Sequence, residues 1–153
     1  MSKAQCGPSN VSIGRATADD LPDVLALLEN SGLPKDGVAE HLATVLVARE
    51  EKRIVGSAAL ELYGKVALLR SVTVDESFRG RGIGQHLTRS ALDLAVKSGV
   101  TTVYLLTESA SEFFTRFGFK PTGRSEVPPA VQRSVEFTSA CPASALVMMM
   151  RLG

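Results

Sequence analysis

Residues 72–84, VTVDESFRGRGIG, lead from a strand pattern through a glycine-rich loop into the start of a helix. Three of the five residues from Gly80 to Gly84 are glycine, which removes side chains where a bulky anion has to approach the backbone. Backbone N–H groups at a helix N-terminus point outward at such an anion. Because Arg79 and Arg81 add positive charge at the same place, the stretch predicts a site for a pyrophosphate group.

Other uses of a glycine-rich turn fit this stretch less well. A P-loop needs Gly-Lys-Ser/Thr, which the stretch lacks. A dinucleotide-binding turn needs a parallel βαβ opening with an acidic residue about 20 residues later. A turn that merely packs tightly is the remaining alternative. Since the loop follows a three-strand meander and carries two arginines, we expect a single nucleotide-type diphosphate as its ligand.

The patterns on both sides of the loop predict the other elements in the order β-α-α-β-β-β-α-β-α-β-β. Strand patterns cover residues 11–15, 44–49, 53–62, 65–74, 101–107 and 145–152. One helical pattern follows an N-cap at Thr17 and ends near Asn30. Three others run from Asp36 to about Ala43, from Ile83 to Ser98-Gly99 and from Ser109 to Phe117. Pro128-Pro129 indicates a long loop. Residues 1–10 predict a flexible leader before one domain, 11–153.

Composition excludes several classes of function. The chain has 17 Lys+Arg and 16 Asp+Glu, a net charge of +1, which argues against a general binder of nucleic acid or anionic membranes. No run approaches the roughly 20 apolar residues of a membrane span, and the polar start has no signal core, so we expect a cytoplasmic protein. Cys6 and Cys141 have neither CxxC spacing nor a histidine cluster, which predicts free thiols and no metal.

The motif Arg79-x-x-Gly82-x-Gly84 after a Val-x-Val strand resembles the signature of the GCN5-related N-acetyltransferases (GNAT), (Gln/Arg)-x-x-Gly-x-(Gly/Ala). The resemblance extends through the helix at 19–30, the meander and residues 110–119. It implies the GNAT fold, an α/β (α+β) domain whose central mixed, mostly antiparallel sheet of six to seven strands is flanked by about four helices. It also implies that the loop binds the pyrophosphate of acetyl-CoA and that the preceding strand pairs with the pantetheine arm.

The cofactor contacts that this resemblance implies are Val72, Thr73, Val74, Arg79, Gly80, Arg81, Gly82, Ile83, Gly84 and Phe114. Narrower features resemble one branch, the arsenic-resistance N-acetyltransferases that modify the amine of arsinothricin and of the herbicide phosphinothricin. These features lie at residues 68–72, 105–108, 113–114, 127–130 and 140–145.

The proton donor for the leaving thiolate is not where the family pattern has it. Many members carry a tyrosine four residues before the Gly-Phe pair, and this chain has Phe114 there, which cannot donate a proton. Either Thr107 or Ser111, the nearest hydroxyls in the sequence, serves instead, or the thiolate takes its proton from water. We assign Thr107 as the catalytic candidate.

The general base is displaced as well. Related phosphinothricin acetyltransferases often carry a glutamate where this chain has Leu69. Glu61 on the preceding strand is our candidate, directly or through water, with an exposed ladder residue as the alternative. Glu108 is a second candidate, although a charge at the N-terminus of the following helix is the favoured interpretation.

Arg70 lies on a strand face that is otherwise apolar, where an unpaired guanidinium would be costly. It either forms a buried ion pair with a neighbouring glutamate or binds an anionic group of the acceptor through bidentate pairing. We place Arg70 and Ser71 at the acceptor, with Arg133 in the long loop closing over the same pocket.

The leading hypothesis is acetyl-CoA-dependent N-acetylation of a small anionic amino acid, such as arsinothricin or phosphinothricin, by direct attack, which would confer resistance. One alternative is acetylation of a protein or peptide amine, although no acidic cluster lies near the site. A non-catalytic acyl-CoA sensor is another, which Phe114 keeps open. The family commonly dimerises, so a homodimer is possible.

Overall fold

The computed structural model describes residues 11–134, 136–137 and 144–152. Within these ranges seven strands form one sheet in the order β1-β2-β3-β4-β5-β7-β6. The strands are β1 (Val11–Arg15), β2 (Val45–Glu50), β3 (Arg53–Tyr63), β4 (Val66–Val74), β5 (Thr102–Thr107), β6 (Lys120–Pro121) and β7 (Leu146–Arg151). Only β4 and β5 are parallel. The mixed, mostly antiparallel sheet confirms the expected fold class.

Four α-helices accompany the sheet in the described ranges. They are α1 (Leu21–Asn30), α2 (Ile83–Lys97), α3 (Ser111–Phe117) and α4 (Pro129–Gln132). The two longer helices, α1 and α2, cover opposite faces of the sheet. Alternate residues of β2 point to opposite faces, and they show which helix covers each face. Leu46 and Ala48 belong to the core under α2, whereas Val45 and Val47 pack against α1.

The entry to α1 follows from its sequence. Thr17 and Asp20 form a capping box, in which the Thr17 backbone N–H donates to Asp20 Oδ2 at 2.7 Å. Asp20 is also paired with the guanidinium of Arg49 on β2. Hydrogen bonds from Arg49 and Thr17 hold the pKa of Asp20 well below its usual range.

Two sequence expectations are wrong. In place of a second helix from Asp36 to Ala43, the structure has turns followed by a 3-10 segment, Ala39–Thr44. Gly37 has φ +84°, which interrupts any helix there, and so short a segment gains little from helix propagation. The Pro128-Pro129 segment begins the short helix α4 rather than a long loop, since proline is well accommodated in a first helical turn.

The sheet opens between β4 and β5. Residues Val66–Leu69 of β4 pair with residues Thr102–Leu105 of β5, and beyond this point the two strands separate. At the same point the pairing of β3 with β4 shifts register, and Ser71 takes the left-handed φ of +60° typical of a bulge. The Ser57 hydroxyl donates to Ser71 O at 2.7 Å and fixes this bend.

Several predictions concern residues that the structure does not describe. The leader at residues 1–10, with Cys6, and Cys141 lie outside the described ranges. Across the part of the chain that is described, no group of three or more histidine, cysteine, aspartate or glutamate residues could hold a metal ion. No helix in those ranges is both long enough and apolar enough to cross a membrane.

Candidate active site

A cavity of about 900 Å³ occupies the opening between β4 and β5. Its walls are the separated parts of both strands, the segment after α1 and the start of α3. The residues that line it are 31–34, 69–74, Arg79, Gly84, 105–110, Phe113, Phe114, Glu136 and Ala145. The sequence motif and the strand opening therefore meet at one site.

The glycine-rich loop borders this cavity through Arg79 and Gly84, whereas Gly80, Gly82 and Ile83 are not lining residues. Gly82 has φ +80° and immediately precedes α2, whose hydrogen bonding begins where the His86 N–H donates to Gly82 O at 3.1 Å. The N–H groups of the first helical residues therefore have no acceptor within the helix. A Cβ built on Gly82 would come no closer than 4.0 Å to any neighbouring atom. The space beside Gly82 is open to a ligand.

The two loop arginines have different positions. Arg79 lines the cavity and donates from Nε to Val74 O at 3.1 Å. Arg81 is not among the lining residues, and its guanidinium lies 4.8 Å from the centre of the Phe78 ring. Asp75 accepts a hydrogen bond from the Ser77 N–H at 2.9 Å, and this bond lowers the pKa of Asp75. The loop is held in shape by its own side chains.

The separated part of β4 lines the cavity with Val72, Thr73 and Val74. On this side β5 no longer pairs with it, so β4 presents an open backbone edge. The Thr73 hydroxyl donates to Ser31 Oγ at 2.8 Å and connects the strand to the end of α1. An extended ligand can therefore lie along β4 from the loop towards the narrow end of the opening.

Arg70 lies at that narrow end, with its side chain 0% exposed. Its Nη1 is 2.8 Å from Glu61 Oε2, and its Nε is 3.4 Å from Glu136 Oε2. Nε also donates to Ser71 Oγ at 3.2 Å, and Nη2 donates to Pro34 O at 3.3 Å. Of the two sequence alternatives, these contacts are the buried ion pair with a neighbouring glutamate.

Glu61 is 1% exposed, so the alternative of an exposed ladder residue is wrong. Its carboxylate also accepts a hydrogen bond from the Tyr63 hydroxyl, and its Oε1 is 3.9 Å from His41 Nε2. Burial alone would raise the pKa of Glu61, but the hydrogen bonds from Tyr63 and Arg70 hold it below its usual value. Burial, together with the hydrogen bond to Glu61, raises the pKa of Tyr63 to about 12. Glu61 does not border the cavity.

The remaining sequence candidates divide into two groups. Thr107 lines the cavity and accepts a hydrogen bond from the Ala110 N–H at 2.9 Å, while Phe114 lines it and packs edge-on against Phe113 with 5.0 Å between ring centres. Neither Ser111 nor Arg133 is a lining residue, and Arg133 is exposed at the end of α4.

Sequence reasoning missed Glu136, which is 4% exposed and lines the cavity beside Arg70. The available signal was its position between two large apolar residues, Val135 and Phe137, where a solvated carboxylate is unexpected.

Comparison with known proteins identifies the family of this chain. Residues 41–121 match the family described as "Acetyltransferase (GNAT) domain". An uncharacterised N-acetyltransferase of Chlorobaculum tepidum is 33% identical over 99 residues, which cover 64% of this chain and 63% of that protein. An amino-acid acetyltransferase of Neisseria meningitidis is 25% identical over 130 residues, which cover 77% of this chain and 29% of that protein.

A similar fold occurs in the crystal structure of N-acetylglutamate synthase from Neisseria gonorrhoeae complexed with coenzyme A and N-acetyl-glutamate. The TM-score is 0.81 at 21% identity, with 94% of this chain and 35% of that chain covered. The chain thus spans 63% of the Chlorobaculum relative and about a third or less of the two Neisseria proteins.

Proposed function

Because the chain belongs to the GNAT acetyltransferase family, we propose that it transfers the acetyl group of acetyl-CoA to the amine of a small amino acid. The observation that carries this proposal is the opening between β4 and β5, which begins at the glycine-rich start of α2 and ends at a buried charged cluster. Such a cleft has room for an extended ligand with an anionic end and for a second, polar molecule.

In this proposal the pyrophosphate binds at the first N–H groups of α2, with Gly80, Gly82 and Gly84 giving it access to the backbone. Arg79 adds positive charge at the cavity mouth, and Arg81 and Ile83 contribute through the loop and helix backbone. Both Gly80 and Gly82 have φ above +79°, so glycine is also the residue that this loop conformation favours. Gly84 has ordinary contacts, with a built Cβ 3.6 Å from Val74 Cγ2.

The pantetheine arm then pairs with the open edge of β4 at Val72, Thr73 and Val74. Four residues of strand, about 13 Å, separate Val74 from Arg70. An arm extended along this edge brings the thioester towards Ser71. At that point the acceptor amine attacks the thioester carbonyl directly, with no acyl-enzyme intermediate. Thr107 faces the same cavity, and we assign it the hydrogen bond to the departing sulphur.

The acceptor is a small amino acid, and more narrowly one with an anionic side chain such as arsinothricin or phosphinothricin, so that acetylation confers resistance. The similarity to an amino-acid acetyltransferase of Neisseria meningitidis supports an amino-acid acceptor. The residues at 68–72 and 105–108 that resemble the arsenic-resistance branch line this cavity in part. The guanidinium of Arg70 is engaged by carboxylates, so an acceptor anion would have to share it with them. A cytoplasmic location, a homodimer and an acceptor contact from Arg133 stay predictions.

One assay tests this proposal. Release of free thiol from acetyl-CoA is measured with phosphinothricin, glutamate, a polyamine and a peptide amine as separate acceptors. We expect turnover with the two amino acids and little with the polyamine or peptide. Preferred turnover of the peptide would support the protein-amine alternative, and acetyl-CoA binding without turnover of any amine would support the sensor alternative.

A further inference from the structure

We propose that Glu136 accepts the ammonium proton of the acceptor and that Glu61 positions Arg70 beside it. This inference rests on the proposed function and adds its general base. Glu136 and Glu108 are the carboxylates among the described residues that line the cavity. Glu108 is exposed, whereas Glu136 is buried against the charged cluster at the narrow end.

The position of Glu136 relative to the proposed thioester is the first argument. Its Oε2 lies 3.4 Å from Arg70 Nε, and Arg70 adjoins the bulge at Ser71 where β4 leaves β5. An amine that attacks a thioester at this bulge therefore meets Glu136 at the cavity wall. Glu61 lies behind Arg70 and outside the lining, so it cannot meet the amine without a rearrangement of the ion pair.

The fold also fixes the backbone of Glu136. Its N–H donates to Ser134 Oγ at 3.2 Å, and the Ser134 side chain hydrogen-bonds Glu61 and Tyr63. Ser134 follows α4, which is seated on the sheet through the fully buried Val131. A carboxylate anchored in this way is preorganised to meet its substrate.

Arg70 divides its contacts unequally between the two carboxylates. The 2.8 Å contact from Nη1 goes to Glu61, and the longer 3.4 Å contact from Nε goes to Glu136. The Glu61 carboxylate also accepts hydrogen bonds from the Tyr63 and Ser134 hydroxyls, and these bonds favour its ionised form. Glu61 therefore takes the shorter of the two contacts with the guanidinium, while Glu136 faces the cavity.

Among the described residues, the charged and titratable groups of the cluster beside Glu136 come from three parts of the fold. Arg70 faces it from β4, Glu61 and Tyr63 lie behind Arg70 on β3, and His41 contacts Glu61 from the 3-10 segment before β2.

The proposed step balances as follows. The acceptor enters as an ammonium and gives one proton to the Glu136 carboxylate. The nitrogen lone pair then forms a C–N bond to the thioester carbonyl, whose π electrons move to oxygen. Collapse of this intermediate breaks the C–S bond while the Thr107 hydroxyl donates a hydrogen bond to the departing sulphur, and the thiolate then takes the second nitrogen proton. Glu136 finally releases its proton to solvent.

The test compares Glu136→Gln with Glu108→Gln, a matched change of the other lining carboxylate. For each, kcat/KM for the acceptor is measured from about pH 6 to about pH 10. We expect Glu136→Gln to lower kcat/KM about 100-fold near neutral pH, with the deficit shrinking as the pH rises, because free amine then forms without a base. Glu108→Gln changes the second base candidate, and we expect any deficit it causes to be the same at every pH. The KM for acetyl-CoA should stay unchanged in Glu136→Gln.

Glu61→Gln tests the positioning role. With glutamine at position 61, Arg70 loses its charged partner on β3 but keeps its contact to Glu136. Arg70 then favours the ionised form of Glu136 more strongly, so we expect the acidic limb of the pH profile to move to lower pH. A merely structural role would lower the melting temperature without moving that limb. If Glu136→Gln does not fold, Glu136→Asp keeps the charge, and we expect about a tenfold loss on the acceptor with a normal KM for acetyl-CoA.

Three results would overturn the assignment of Glu136. They are full activity of Glu136→Gln or Glu136→Asp, a deficit in Glu136→Gln that does not change with pH, and a pH-dependent deficit in Glu108→Gln instead. Each presupposes an active wild type. An inactive wild type would instead refute the proposed function, so the two failures are distinguishable.

Discussion

Replacing Arg70 by lysine tests whether its buried contacts stabilise the fold. The guanidinium meets Glu61 at 2.8 Å, Glu136 at 3.4 Å, Ser71 Oγ at 3.2 Å and Pro34 O at 3.3 Å. A lysine ammonium can keep the contact to Glu61, but it is a single point of charge without the planar fork that reaches in the other directions. Three interactions are therefore lost.

The size of the effect follows from these contacts. All three are longer than 3.1 Å, so about 1 kcal/mol each is appropriate, which gives about 3 kcal/mol of lost stability in total. For a domain of this size about 3 kcal/mol corresponds to a fall of about 9 °C in melting temperature. Thermal unfolding of Arg70→Lys measures this, with Arg133→Lys, an exposed arginine, as the control that should change little.

Steady-state kinetics on the same preparation provide the opposing test. If Arg70 mainly bound an acceptor anion, Arg70→Lys would raise the acceptor KM selectively and leave the melting curve almost unchanged. That combination would refute the assignment of Arg70 to a structural ion pair. A stability loss of the expected size supports it.

Three further outcomes are expected. Gly82→Val should weaken acetyl-CoA binding, measured by calorimetry, at least about tenfold. Gly99 has a similar φ of +85° in open space far from the cavity, so Gly99→Val should lower stability without affecting binding. Equal losses of affinity in the two variants would contradict the loop assignment. Thr107→Val should lower kcat about 100-fold while Phe114→Tyr stays within a few-fold, and an active Thr107→Val would show that the thiolate leaves unassisted. Because the pKa of Asp20 is depressed in the folded state, its contribution to stability is present above about pH 4 and lost as the pH falls towards the folded pKa. The difference in urea unfolding between wild type and Asp20→Asn should therefore be constant from about pH 5 to neutral and narrow below about pH 4, and a difference independent of pH would contradict this.

The parts of the fold that sequence reasoning predicted are those with a local cause. The meander, α2 and its glycine-rich entry each depend on hydrophobic period and turn residues within a few positions. The segment from Asp36 to Ala43 has a weak helical pattern, and Gly37 with its left-handed φ overrides it. Local pattern does not reveal such an override.

The sequence predicted a buried ion pair as one alternative for Arg70, but it could not identify the partners, because they depend on strand register. Ala59 pairs with Arg70 and Glu61 pairs with Leu68, which makes Glu61 and Arg70 diagonal neighbours on one face of the sheet. A shift of one residue would send Glu61 to the other face. Glu136 comes from a distant segment whose approach depends on how α4 packs, and no local pattern reports that packing.

The brief pairing of β4 with β5 has a mechanical consequence. Four residue pairs, Val66–Leu69 with Thr102–Leu105, join β1–β4 to β5–β7. Over the described residues, the two parts of the sheet are therefore hydrogen-bonded to each other along this short stretch alone. A molecule bound between β4 and β5 can make the backbone hydrogen bonds that these strands do not make to each other, and it then fixes the angle between the two parts of the sheet. Its arrival should therefore slow amide hydrogen exchange along the facing edges of β4 and β5, as well as beside the loop that holds its charged end.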